Sequence, residues 1–231
     1  MRYLIIVVFV MNIFANEIYI WSKTFHKLDN NKIIKFLKKN NINKTIVSFK
    51  DENKFREFLS LCKQNGIEVD ILIGNNSWIY KKNREKIDKK LNYLKNFKNY
   101  NIHLDIEPHA IKSLKHNRKL YFKMYVEMLE YIHNKFPKYK ISISIPTFYK
   151  IDFKKISFVN KIYLMAYQYK NLNQLLRRVN RYNFLKNIVV VFNCKEFDNK
   201  TILLDDVNFI KMYGYKNIAF HSLKTCLRIY R

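Results

Sequence analysis

The sequence predicts an α/β fold, a (β/α)8 TIM barrel forming a single compact domain. Three observations predict it. Eight short apolar runs recur along the chain, and helix-length stretches separate nearly all of them, the alternation that builds a parallel sheet. No Gly-rich phosphate loop follows the first run, which counts against the doubly wound alternative. Finally, 231 residues with only 3 Gly and 3 Pro leave no room for linkers or an inserted domain, so the loops must be short.

The chain opens with Met1-Arg2, an apolar run from Leu4 to Met11, and a small residue at Ala15. A charged start, a short oily stretch and a small exit residue form a secretory signal peptide. The run is too short to span a bilayer. The expectation is therefore a signal at 1–15, cleaved after Ala15, a barrel domain over 16–231, no transmembrane span after cleavage, and a periplasmic or secreted product.

The strands follow in order. Glu17 to Trp21 alternates apolar and polar, and Lys44 to Phe49 is a β-branched run. Helical spacing over 31–39 joins them. A helix over 53–64, closed by Gly66, leads to the third strand, Ile67 to Ile73; glycine tolerates the left-handed conformation that ends a helix. A helix over 83–97 precedes the fourth strand, which starts at Asn101. The longest helix, Arg118 to Lys135, carries Leu120, Met124, Met128 and Ile132 near helical spacing. The fifth strand, Lys140 to Ile145, stops at Pro146. Only a short linker separates it from the sixth, Lys161 to Tyr167. Helices over 172–181 and 201–213 flank the seventh strand, Asn187 to Phe192; Gly214 closes the second of them. Lys216 to His221 is the eighth strand, followed by a short basic tail.

Lys and Arg total 44 against 18 Asp and Glu, a formal net charge of +26. Such a balance attracts nucleic acid or acidic surfaces. Here the basic residues are spread over every helical segment. They accompany Asn, Ile, Tyr and Phe, whose codons share an AT-rich bias. We read the charge as a solvated surface with a secondary attraction to anionic surfaces, and expect no nucleic-acid partner for an exported protein. Cys62, Cys194 and Cys226 are too few for a disulfide framework and contain no CxxC pair. One bridge is compatible with the count, and its pairing stays open.

Chemistry concentrates on the fourth strand. In Asn101-Ile-His-Leu-Asp-Ile-Glu-Pro-His109, Ile102, Leu104 and Ile106 alternate with His103, Asp105 and Glu107. A period of two gives one oily face and one ionisable face. Three titratable groups on a buried face are costly to desolvate. Pro108 ends the ladder and leaves Glu107 at the C-terminal end, where barrels carry out their chemistry. If oily positions face the helices, the opposite parity faces the axis. That places Tyr19 and Trp21, Ser142 and Ser144, Tyr163, Met165 and Tyr167, and Ala219 and His221 inside. Gln168, Asn75, Trp78, Tyr149 and Asn193 join the mouth from the loops. Polar groups ringed by aromatics suit a sugar, whose flat C–H faces and hydroxyls need both.

Three of these stretches resemble one family. Asp105-Ile-Glu107 is similar to the end of the Asp-x-x-Asp-x-Asp-x-Glu signature of glycoside hydrolase family 18, the chitinases and their relatives. Leu164-Met-Ala-Tyr-Gln168 resembles that family's Met-x-Tyr-Asp, and Asn217-Ile-Ala-Phe-His-Ser222 its last strand. The resemblance implies a glycosidase of substrate-assisted type, an exception to the two-carboxylate scheme. In that scheme the catalytic residues are Glu107 as the acid, Asp105 orienting the substrate acetamido group, and Tyr167 bonding its oxygen. Met165, Gln168, His103, His221, Trp21, Trp78, Asn75, Tyr149 and Asn193 are the substrate-binding candidates. A carboxylate neighbour and partial burial are expected to keep Glu107 protonated. The implied partner is a polysaccharide or peptidoglycan-type glycan, with no cofactor and no metal. The chain departs from the pattern: Tyr100 and His103 stand where the family has its first two Asp, Gln168 replaces an Asp, and His221 replaces a floor Trp. Two alternatives follow from those departures. One is a glycan-binding barrel without catalysis. The other is a metal-dependent hydrolase using His103, Asp105, Glu107 and His221, since His with carboxylate suits a divalent ion.

Overall fold

The computed structural model describes residues 16–97, 100–114 and 116–230; the expected signal peptide lies outside them. The strands are β1 (Asn16–Ile20), β2 (Ile42–Val47), β3 (Glu68–Ile73), β4 (Asn101–Leu104), β5 (Ile141–Pro146), β6 (Lys161–Met165), β7 (Ile188–Asn193) and β8 (Ile218–His221). They pair in parallel and in sequence order, and close as a barrel when β8 meets β1. This is the (β/α)8 architecture. The closing seam is short: Asn16, Glu17 and Ile18 align with Ile218, Ala219 and Phe220.

The helices are α1 (Ser22–Lys27), α2 (Asn30–Lys39), α3 (Glu52–Gln64), α4 (Arg84–Leu94), α5 (Arg118–Lys135), α6 (Leu172–Asn180), α7 (Lys200–Met212) and α8 (Leu223–Ile229). The Asn-rich composition has a local use here. Asn117, Asn171 and Asn199 each accept a backbone N–H in the first turn of α5, α6 and α7, and Asp29 and Asp51 do so for α2 and α3. Such caps satisfy donors that the helix itself leaves free. Gly66 and Gly214 follow α3 and α7 with φ of 67° and 91°, as the helix-closing role requires. The short α1 was not foreseen: the chain turns helical directly after Trp21. Between β5 and β6 the only helical piece is a 3-10 turn, Phe153–Ile156.

The two parities separate cleanly. Ile18, Ile20, Ile71, Ile73, Ile102, Leu104, Ile106, Ile143, Ile145, Leu164, Val190 and Phe220 face the helices and form the main core. Tyr19, Ile46, Leu72, Tyr163, Val189, Val191 and Ala219 fill the barrel, with Trp21 and Tyr167 packed above them. Below, at the N-terminal end, lies a charged floor. Lys44 pairs with Asp70 at 2.8 Å, Lys161 with Glu17 at 2.9 Å, and the Tyr163 hydroxyl donates to Glu17. Buried charges need such partners, because an unpaired one is strongly destabilising.

One disulfide joins Cys194 to Cys226 and leaves Cys62 free and buried. It ties the turn after β7 to α8. Burial pushes the Cys62 thiol up to about 12, so it is a packed core thiol rather than a nucleophile.

Candidate functional site

The polar side chains predicted to face the axis do so, in layers. His103 is fully buried at mid-barrel. Its Nδ1 meets Ser142 Oγ at 2.9 Å, and its Nε2 lies 2.8 Å from Ser144 Oγ and 3.1 Å from the Tyr19 hydroxyl. Burial, with Lys44 adding to it, pushes His103 down to about 3. It is a neutral ring that shares protons with hydroxyls and carries no charge beneath Asp105. One layer higher, the Trp21 indole donates to His221 Nε2 at 3.0 Å. Indole only donates, so that nitrogen is an acceptor and the imidazole proton sits on Nδ1. Burial holds His221 at about 4. Its ring lies 5.8 Å from that of Tyr167 and 5.6 Å from that of Tyr19. The His221–Ser222 peptide is cis.

The acids stand at the C-terminal end of β4. The carboxyl lifted by its surroundings is Asp105, pushed up to about 7 by burial and by Glu107 beside it. Two carboxyls sharing a site do not ionise independently, so the pair as a unit keeps a proton toward neutral pH. Glu107 is fixed from behind: its N–H donates to Asn76 Oδ1 at 2.7 Å. Glu107 also opens onto a cavity of about 600 Å3, lined further by His109, Pro146, Thr147, Phe148, Met165, Tyr167, Gln168 and by Gln174, Arg177, Arg178 and Arg181. That volume suits a small ligand or a short stretch of polymer. Tyr167 interacts electrostatically with both Asp105 and Glu107, and burial first, then these acids and Glu196, holds its hydroxyl protonated.

The peptide after Tyr167 is held from two sides. Gln168 has φ of 53°, a left-handed conformation uncommon outside glycine. Its N–H donates to Glu196 Oε2 at 2.9 Å. Arg178 donates to the Tyr167 carbonyl at 2.9 Å and, more loosely, to that of Gln168 at 3.4 Å. Strained backbone persists where its surroundings over-determine it, and such positions cluster at functional sites.

The structure thus brings Glu107, Met165, Tyr167 and Gln168 together on one cavity, with Asp105 beside Glu107 and His103, Trp21 and His221 on the axis below. Other candidates are placed elsewhere. Trp78 is 7% exposed and packs into the layer between strands and helices, because the 3-10 turn Asn76–Ile79 folds its indole inward. Tyr149 is 2% exposed; its ring packs among Tyr121, Phe122 and Tyr125, and its hydroxyl meets His109 Nδ1 at 2.7 Å. It stands behind a cavity wall rather than on it. Asn75 spends its side chain on the Ser77 N–H, a turn-forming contact; Asn193 accepts the Lys195 N–H and also hydrogen-bonds Glu196, the carboxylate that holds the Gln168 N–H. Neither residue lines the cavity. Residues not foreseen include Asn76, Thr147, Phe148 and the arginines of α6. Arg177-Arg178 in the last turn of α6, the helix that follows a strand ending in the site, was the available signal, hidden by a chain that is basic throughout.

The metal-hydrolase reading loses its ligand set. Among the described residues, no group of three or more His, Cys, Asp or Glu side chains converges to hold an ion. His103 has both nitrogens engaged by hydroxyls, and Trp21 occupies Nε2 of His221.

No protein-family profile and no curated protein matches the sequence. Solved structures do match the fold. A chitinase from Bacteroides thetaiotaomicron superposes with a TM-score of 0.70 at 11% identity, covering 91% of this chain and 90% of that one. An endo-beta-N-acetylglucosaminidase from Cordyceps militaris gives 0.58 at 9%, over 90% and 81%. The glycoside hydrolase domain of PelA from Pseudomonas aeruginosa gives 0.57 at 8%, over 91% and 95%. At such identities the likeness is one of fold.

Proposed function

We propose that this barrel is a glycoside hydrolase acting on N-acetylated amino-sugar glycans outside the cytoplasm. The observation that carries the reading is the shared cavity: Glu107 at the end of β4 faces Met165, Tyr167 and Gln168 from the end of β6. Glu107 gives its proton to the glycosidic oxygen as the C–O bond breaks. The sugar's 2-acetamido oxygen attacks the anomeric carbon and closes an oxazolinium ring. Asp105 faces the acetamido N–H and balances the positive charge, and the Tyr167 hydroxyl donates to the acetamido oxygen. Water then opens the ring, returns a proton to Glu107, and leaves the anomeric configuration retained. His103 is neutral and lends Asp105 no charge from below; burial and Glu107 are what push the Asp105 carboxyl up to about 7. Gln168 supplies an amide where charge is not required.

Export is supported by the Cys194–Cys226 disulfide, since such bonds persist in oxidising compartments, and by the leader-like start of the sequence. No described helix is long and apolar enough to cross a membrane.

The test is product release from chitin oligomers and from peptidoglycan glycan strands, wild type beside Glu107→Gln. The variant is expected to lose at least about 100-fold in rate, the usual share of a positioned general acid. Equal product from both proteins removes Glu107 from the reaction. Binding without product from either protein favours the glycan-binding barrel.

A further inference from the structure

The geometry points to a glycan that carries an anionic group, seated by Arg177, Arg178 and Arg181 on the α6 edge of the Glu107 cavity. This deepens the proposed function and rests on its glycan-binding part. The cavity wall holds three guanidinium groups and a single carboxylate, Glu107. No ion pair within 4.0 Å involves any of the three arginines among the described residues. Arg178 is partly committed: it holds the Tyr167 and Gln168 carbonyls and feels the charge of Glu196. Arg177 and Arg181 are exposed and, among the described residues, donate to no protein acceptor. His109, on the same wall, is held down by burial although Glu107 pulls it the other way; it adds no positive charge near neutral pH.

A guanidinium presents a rigid fork of donors that fits carboxylate or phosphate oxygens two at a time. A neutral N-acetylated polymer offers hydroxyls and amides, which have no need of three cations. The general basicity of the chain does not account for the cluster. Lysine, the point charge, makes up most of the basic surface, whereas the cavity wall contains only arginine. The arginines share one cavity with the acid, so the anionic group belongs on a sugar close to the scissile bond. The chemistry is a fixed oxyanion on an amino sugar: a carboxylate, as on a lactyl ether, or a phosphate ester.

The test measures binding to full-length Glu107→Gln protein, so turnover does not interfere. The probes are a neutral chitin tetrasaccharide, a tetrasaccharide with alternating lactyl-ether carboxylates, its carboxyl-reduced counterpart, and a 6-phosphorylated chitin tetrasaccharide. At low salt, one or both anionic probes are expected to bind at least tenfold tighter than their neutral counterparts. Which of the two does so distinguishes carboxylate from phosphate. The advantage should shrink steeply as salt is raised. Adding Arg177→Gln and Arg181→Gln should bring the anionic-to-neutral ratio close to one, and Arg177→Lys with Arg181→Lys should restore part of it. Folding of each variant is checked by its thermal midpoint. Equal binding of charged and neutral probes, or a preference that survives loss of both arginines, overturns the inference. Anionic preference with no cleavage by the wild-type protein would remove the hydrolase reading and leave this one standing. Cleavage with no such preference would do the reverse.

Discussion

Gly74 touches the backbone of Asp105: a Cβ placed on residue 74 would lie 2.0 Å from the Asp105 carbonyl oxygen and 2.8 Å from its carbonyl carbon. The Asp105 N–H also donates to the Ile73 carbonyl at 3.0 Å. The end of β3 therefore presses on the residue that carries the buried acid, and only glycine permits the approach. Gly74→Ala must move backbone, because neither clashing atom is the tip of a flexible side chain. The expected cost is about 2–3 kcal/mol, a fall in thermal midpoint of about 4–12 °C for a domain of this size. A calorimetric scan checks it; an unchanged midpoint would show that the strand end yields freely.

The pair Asp105 and Glu107 predicts a pH dependence of stability with a definite sign. Asp105 titrates near 7 in the folded chain against a usual 3.8. Below about pH 4 the group is protonated in both states and has no effect. From there to about pH 7 the unfolded chain has released a proton that the folded chain still holds, so stability falls as pH rises. The full penalty is roughly 4 kcal/mol at 1.36 kcal/mol per pKa unit, an upper figure because the residue is not wholly removed from water. Urea midpoints of wild type and Asp105→Asn should diverge between pH 5 and pH 8, the variant gaining at the higher value. Parallel curves would place the raised carboxyl elsewhere.

Trp21 and His221 give a spectroscopic reporter from inside the barrel. The Trp21 N–H donates to His221 Nε2, and protonation of that nitrogen replaces the acceptor with a second donor. His221 is held at about 4 by burial, below its usual 6.5. The linked stability is therefore present above pH 6.5 and is lost as pH falls toward 4. The chain has 2 Trp, so Trp78→Phe leaves Trp21 as the only indole. Its emission should titrate with a midpoint near pH 4, and His221→Phe should abolish the transition. A midpoint near 6.5 would mean that the ring is far better hydrated than its packing implies.

The disulfide has a measurable share in stability. It joins residues separated by 32 positions, and closing a loop of that length is worth about 3–4 kcal/mol in the chain-entropy account. Reduction, or Cys226→Ser, should lower the thermal midpoint by about 10 °C. Cys62→Ala should instead report only the loss of a small buried group. No effect of reductant would show that the thiols are unpaired in the purified protein.

The sequence made the barrel legible because its two rhythms are clean. Ile102, Leu104 and Ile106 against His103, Asp105 and Glu107 decide which face of β4 meets helices, and the same parity on β1, β5, β6 and β8 assembles the axis residues correctly. The β5–β6 connection already read as a linker without a full helix. What escaped depends on how loops fold back. Trp78 and Asn75 looked alike as mouth residues, yet the turn over Asn76–Ile79 buries one and spends the other on a backbone N–H. Tyr149 was one of 17 Tyr, and nothing local shows that its hydroxyl would back His109. The α6 arginines were masked by background, since a basic helix in a basic chain carries little information until its neighbours are known. The alternation on β4 does not single out Asp105 as the carboxyl that burial and the neighbouring Glu107 raise, because depth below the mouth is set by the barrel around it.

The seam between β1 and β8 orders events in time. The first described strand finds its last partner only when almost the whole polypeptide is available, so ring closure is the most long-range strand pairing in this chain. Until then Glu17, Tyr19 and Trp21 have a neighbour on one side only, and the hollow they help to enclose does not exist. Cys226 lies just beyond β8, so its bond to Cys194 clasps the turn after β7 to the helix after β8, beside the closing seam. An unfinished or truncated copy would present sticky strand edges instead of an enclosed cavity.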